Sequence, residues 1–158
     1  MRRLFVLINT VLVLKKNSKG EAIGRSAGGL STKIHALCDA LGNPTAFHLT
    51  EGQVHDLEGA DVLLEDLCAE ALLADKAYDA EERVVNKLAK KNCVAVIPSK
   101  SNRLEKREYD KALYKARHLI ENFFAKLKQY RAIATRYDKT ARNFLGGIYL
   151  AATCIWLN

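Results

Sequence analysis

The sequence predicts an α/β fold, a mixed sheet with flanking helices. Three observations carry this. The run Ala71–Tyr78 is apolar up to Asp75, a helical stretch follows to about Lys91, and Cys93–Ile97 is a second apolar run closed by Pro98. Strand, helix and strand at that spacing form a βαβ unit, whose strands pair in parallel. Thr32–Leu37 and Thr45–Leu49 are strand-like and are joined by the turn residues Asp39-Ala-Leu-Gly-Asn-Pro44, which predicts an antiparallel hairpin. Glu108–Tyr130 reads as one long amphipathic helix. In it Leu113, Ala116, Ile120, Phe123, Phe124 and Leu127 recur at three- and four-residue steps along one face. At 158 residues the chain suits a single domain, 1–158.

In chain order, Met1-Arg-Arg followed by Leu4–Leu14 joins a positive start to an apolar run. Lys15-Lys16-Asn17 follows with no small-residue cleavage site, and the run is far short of the ~20 residues of a membrane span. Its β-branched content suits a buried strand. Lys15–Gly29 is polar and glycine-rich and reads as a loop. Within it Gly24-Arg-Ser-Ala-Gly-Gly29 admits a phosphate cradle or a basic connector, and it fits no P-loop spacing. Gly52–Asp56 opens a helix with Val62, Leu63, Leu67 and Ala71 on its apolar face. Asp56 is its predicted N-cap, and His55-Asp56 is also a candidate metal pair. Asp79 and Glu81-Glu82 start the next helix. Ser99–Lys106 is a basic loop without periodicity, suited to phosphate contact. Phe144–Leu157 is a last apolar helix, whose about fourteen residues are too few to cross a bilayer.

The net charge of +7 and the pI near 9.3 indicate an anionic partner. The charge is local: residues 100–142 hold thirteen Lys or Arg against five Asp or Glu, and the remainder is close to neutral. A basic C-terminal third on a neutral body suits nucleic acid. Lys126, Lys128, Arg131, Arg136, Lys139 and Arg142 continue the basic patch past the long helix, with Tyr130 and Tyr137 placed to stack on bases or to pad the core. The four cysteines, Cys38, Cys68, Cys93 and Cys154, lie far apart with no CxxC pair. Each has apolar neighbours, so buried reduced thiols are expected, as in a cytosolic protein.

Tyr114, Arg117, Glu121 and Lys128 recur at helical steps and share one side of the long helix. As residues they admit a solvated ridge of i,i+4 ion pairs or a carboxylate placed among cations to hold a divalent metal near phosphate. Their spacing Y-(2)-R-(3)-E-(6)-K resembles the signature of insertion-sequence transposases of the DDE class. The string Arg117-His-Leu-Ile-Glu-Asn-Phe-Phe-Ala-Lys-Leu-Lys128 is similar to their group four and five branches. Ala22–His35 also resembles that family, where it leads into the second strand. Ala74-Asp-Lys-Ala-Tyr-Asp79 resembles its second-aspartate motif, D-K-[GA]-[YF]-D, and Asp75 stands at a strand exit, where such sheets gather functional groups.

The resemblance implies a ribonuclease H-like mixed sheet and a metal-dependent enzyme of DNA cleavage and strand transfer. Two divalent ions, Mg2+ or Mn2+, would be held by two Asp and one Glu. It assigns Asp75 as the second Asp and Glu121 as the Glu. Arg117 and Lys128 would meet phosphate or a flipped base, Tyr114 would pack or touch the backbone, and Lys126 and Arg131 would join the DNA-binding surface. The first Asp has no counterpart. The family sets it in an I-D-[SA]-T-like string before a His-rich run, and Leu7-Ile-Asn-Thr10 offers only Asn9. The resemblance covers about Lys15–Asn158, so an N-terminally truncated catalytic portion is expected, inactive alone for want of that Asp. The implied partners are transposon-end and target DNA and a second copy or full-length transposase, with no membrane, in the bacterial cytoplasm. The alternative is a non-catalytic DNA-binding remnant or regulator of a full-length transposase.

Overall fold

The computed structural model describes residues 4–14 and 21–157. Six strands form one mixed sheet: β1 (Leu4–Val13), β2 (Gly24–Ser26), β3 (Gly29–Asp39), β4 (Pro44–Glu51), β5 (Ala71–Ala74) and β6 (Val94–Val96). The order is β2-β3-β1-β5-β6, with β4 also on β3. β1 runs antiparallel to β3, from Phe5↔Asp39 to Val13↔Ser31, and parallel to β5, from Leu4↔Ala71 to Leu7↔Ala74. β5 and β6 are parallel, and β3 and β4 are the expected antiparallel hairpin. This is the mixed α/β arrangement with flanking helices that the sequence predicts.

β1 is central because it is apolar on both sides, as a strand covered on two faces must be. Val6, Ile8 and Leu12 enter one core with α4 (His118–Leu127) and α6 (Ala141–Leu157). Leu7 enters the other, with Leu57, Ala60 and Leu63 of α1 (Asp56–Leu63) and Leu88 of α2 (Asn86–Lys90). Val6 and Leu7 are fully buried, and each such side chain contributes about 1.5–3 kcal/mol on leaving water. At the β3–β4 turn, the Asp39 carboxylate accepts from the N–H groups of Leu41 and Asn43, both at 2.9 Å. Gly42 follows at φ +86°, a conformation that suits glycine.

Several boundaries differ from the expectation. Part of the expected loop Lys15–Gly29 is β2, paired to β3 from Gly24↔Ser31 to Ser26↔Gly29; its residues 15–20 lie outside the described ones. The N-cap of α1 is His55, whose ring Nδ1 accepts from Leu57 N at 3.2 Å, and Asp56 is the first helical residue. The helix after Asp79 opens with a wide turn, Glu81–Val85, in which Val85 N donates to Ala80 O at 3.1 Å, before tightening into α2. The long helix is not continuous from Glu108. Asp110 caps α3 (Lys111–Tyr114), accepting from Ala112 N at 2.8 Å and Leu113 N at 2.9 Å. A 3-10 turn, Lys115–Arg117, leads into α4, and α5 (Arg131–Ala134) is separate. Cys38 and Cys93 are buried, but Cys68 and Cys154 are exposed, so the expected burial holds for two of the four.

Candidate functional site

Asp75 follows the last residue of β5, at the carboxyl end of the parallel strands. Its backbone is extended, φ −67° and ψ 161°, and opens the short 3-10 turn Lys76–Tyr78. Tyr78 N donates to Asp75 O at 2.9 Å, and the Tyr78 ring, 1% exposed, anchors the turn in the core. The carboxylate therefore leaves a rigid strand end for the layer of α3 and α4.

There it meets the helical ridge. Arg117 Nη1 bonds Asp75 Oδ1 across 42 residues of chain, and its Nη2 reaches Glu121 Oε1 at 2.8 Å. The Tyr114 hydroxyl donates to Asp75 Oδ1 at 3.3 Å, and the Arg117 guanidinium lies 5.4 Å from the Tyr114 ring centre. Partial burial pushes the Tyr114 phenol up to about 12, against the pull of Arg117, so it stays a donor at neutral pH. The side chains of Asp75, Glu121 and Arg117 are 35%, 49% and 23% exposed, so a solvent-borne ligand can reach all three.

Four of the seven residues singled out from the sequence, Asp75, Tyr114, Arg117 and Glu121, thus come together. Lys128 is exposed at the end of α4, two turns beyond Glu121 on the same ridge, about 10 Å along the axis. Lys126 faces elsewhere: it lines a hollow with Leu41, Asn43 and Trp156. Arg131 is exposed at the start of α5.

The basic loop Ser99–Lys106, expected to meet phosphate, is tied to acids of the fold through Arg103, and so is Arg107 just beyond it. In the loop after β6, Arg103 Nε lies 2.9 Å from Asp79 Oδ2 and Arg107 Nη1 3.4 Å from Oδ1, and both arginines reach Glu81 Oε2 at 2.8 Å. Lys100 N also donates to Asp79, at 2.8 Å. The last Asp of the D-K-A-Y-D string is thus a buried anchor for the loop that leads to Tyr114, a role its sequence did not reveal. Arg136 is 4% exposed and belongs to no basic patch. It donates to Ala22 O at 3.0 Å and to Glu21 O and Thr32 Oγ1, and it stacks 4.7 Å from the Phe144 ring centre.

The pair His55-Asp56 is not a metal pair. His55 caps its helix, and Asp56 accepts from Lys33 Nζ at 2.6 Å. Asn9 does not join Asp75 either. It pairs with His35 in the sheet and donates to the Tyr78 hydroxyl at 3.0 Å, on the α1 side, whereas Asp75 is engaged on the α3–α4 side. Among the described residues no three Asp, Glu, His or Cys side chains converge as a metal would need. No helix among them is long and apolar enough to cross a membrane.

Residues 10–157 match the family model described as "Transposase DDE domain". The chain is 40% identical over 129 residues, 81% of its own length and 99% of the relative's, to a protein of Brucella ovis assigned as transposase for insertion sequence element IS6501. Among solved structures it is similar to a piggyBac transposase in a synaptic complex with hairpin DNA. That match has a TM-score of 0.45 and 14% identity, and it covers 64% of this chain and 24% of that one.

Proposed function

The chain belongs to the transposase DDE domain family, and from that premise we propose that it acts on DNA in transposition, in cleavage and strand transfer at the ends of an insertion sequence. The observation that carries this reading is the junction of Asp75 with Tyr114, Arg117 and Glu121, drawn from strand and helix to one partly exposed spot. Arg117 offers a planar guanidinium that suits phosphate bidentately, and Lys128 on the same ridge would meet a neighbouring phosphate. Tyr114 keeps its proton and orients Asp75. Arg131, exposed at the start of α5, extends the contact to flanking DNA, whereas Lys126, exposed on another side of α4, would meet only DNA that wraps beyond this ridge. Transposon-end and target DNA, a second copy or full-length transposase, and the cytoplasm are the partners and place that suit this reading.

DDE transposase domains generally use divalent ions, and Mg2+ or Mn2+ is what carboxylate oxygens select. Asp75 and Glu121 alone do not fit a two-ion centre: they are two acids joined through one arginine, and among the described residues no third acid converges with them. The chemistry assigned to these residues is accordingly the binding and orienting of DNA.

The test is fluorescence anisotropy with transposon-end duplex over a salt series. Arg117→Gln and Lys128→Gln should each weaken binding and lower the salt slope by about one. Cleavage of the same duplex with Mn2+ is followed alongside, and Asp75→Asn or Glu121→Gln should abolish any that occurs. Binding that ignores salt and both substitutions would sink the proposal.

A further inference from the structure

We infer that Ile8 is the position that decides whether this site holds a divalent cation, and that Arg117 now fills the electrostatic role of one. β1 and β5 are parallel neighbours whose last paired residues are Leu7 and Ala74. Ile8 and Asp75 are the next residues on the two strands, about 5 Å apart at sheet spacing. Successive strand residues alternate in face. Leu7 packs with α1, and Ile8 packs with the α4 layer, the side on which Asp75 meets Arg117. Ile8 is 6% exposed, and its side chain is wholly apolar. Of the polar residues that follow it on β1, Asn9 is turned to the opposite face and held by Tyr78, and Thr10, next on the face of Ile8, is an uncharged hydroxyl.

Among the described residues no third Asp, Glu, His or Cys side chain converges with Asp75 and Glu121. The residues outside the described ones, 1–3, 15–20 and 158, include no Asp, Glu, His or Cys. Two carboxylates therefore face one guanidinium, which leaves a single net negative charge. Arg117 bonds both acids, so a cation must displace it from each. An acid at position 8 would raise the charge and give three oxygen donors on one face, a set that hard divalent ions accept.

Resting on Asp75 and Glu121 as the acids of the site, the assignment concerns metal binding alone. It is measured without DNA, so it can fail while the DNA reading stands, and the reverse. Free Mn2+ is followed by electron paramagnetic resonance during titration of the wild-type chain and of Ile8→Asp, Ile8→Asn, Arg117→Gln and Ile8→Asp/Asp75→Asn, with circular dichroism to establish folding. The wild-type chain should bind Mn2+ weakly. Ile8→Asp should bind it tighter by about tenfold or more, a scale on which supporting groups alter metal sites. Ile8→Asn should not, and the double variant should lose the gain. If Ile8→Asp does not fold, the wild type and Arg117→Gln decide, since removing the competing guanidinium should raise affinity severalfold. Tight, Asp75-dependent Mn2+ binding by the wild type would overturn the inference, as would a folded Ile8→Asp that binds no better, or an Arg117→Gln that leaves affinity unchanged.

Discussion

Gly59 of α1 lies against the ring of His35 on β3 so closely that a Cβ on Gly59 would fall 2.3 Å from its Cγ and Nδ1. His35 is fully buried, with Nε2 2.8 Å from Thr50 Oγ1. The ring has nowhere to go, so Gly59→Ala must move the helix. Overpacking of this kind costs about 1–3 kcal/mol, and the helix propensity regained is at most ~1 kcal/mol. Urea denaturation should show a net loss; a variant as stable as the parent would mean that the contact is slack.

The same histidine makes stability depend on pH. Burial holds it down to about 4, although Asp56 pulls upward; His48 and Lys33 push the same way as burial. A folded value below the unfolded 6.5 means that the unfolded chain binds the proton first. Stability is therefore full above pH 6.5 and falls as pH drops towards 4, by up to about 3 kcal/mol. His48 is lowered as well and adds to the same window, whereas Asp56, lowered from 3.8, acts only below it. Thermal melts from pH 8 to 4.5 should show a slope that is largely lost in His35→Gln. An unchanged slope would assign the effect elsewhere.

Asp79 should matter more than its neighbour Glu81, though both touch Arg103 and Arg107. The Asp79 carboxylate is fully buried and Glu81 is half exposed. Breaking a buried pair costs about 3–5 kcal/mol, and the partly exposed arginines reduce that to about 2 kcal/mol here. Hydrogen exchange should speed up across 99–110 in Asp79→Asn and hardly change in Glu81→Gln. Equal effects would mean that burial is not what counts.

Arg136→Lys separates structural from DNA-facing cations. Lysine cannot span Glu21, Ala22 and Thr32 as the guanidinium fork does. Hydrogen bonds to charged groups are worth about 1.5–3 kcal/mol, so a loss on that scale is expected, with the salt slope of DNA binding untouched. A reduced slope would place Arg136 on the DNA instead.

The strands were legible where composition alone decides them. Leu4–Val13 is too apolar to be anything but central, and Asp39–Pro44 too rich in turn residues to continue a strand. The ridge of Tyr114, Arg117 and Glu121 was legible because helical periodicity survives the break at Lys115–Arg117. What periodicity cannot tell is whether a cation faces solvent or a carboxylate far along the chain. Arg103, Arg107 and Arg136 read like Lys126 and Lys128 until Asp79 and the Glu21–Ala22 carbonyls are set beside them. Leu7-Ile-Asn-Thr10 offered only Asn9 where an acid is wanted, without matching the family's string; register and facing put Ile8 beside Asp75 instead.

The order in which the core is completed has a consequence for synthesis. One side of the sheet, with Val6, Ile8, Ile34, Ala36 and Phe47, is covered by Phe123, Phe124, Phe144 and Ile148 from α4 and α6. Those helices follow every strand in chain order and so leave the ribosome after the sheet, at a synthesis rate of about 5–20 residues per second. For seconds the nascent chain carries a bare apolar face, the surface that chaperones hold and aggregates grow from. A copy stalled before Phe144 would be sticky, not merely inactive, so truncation within the last helix should deplete the protein through aggregation and proteolysis.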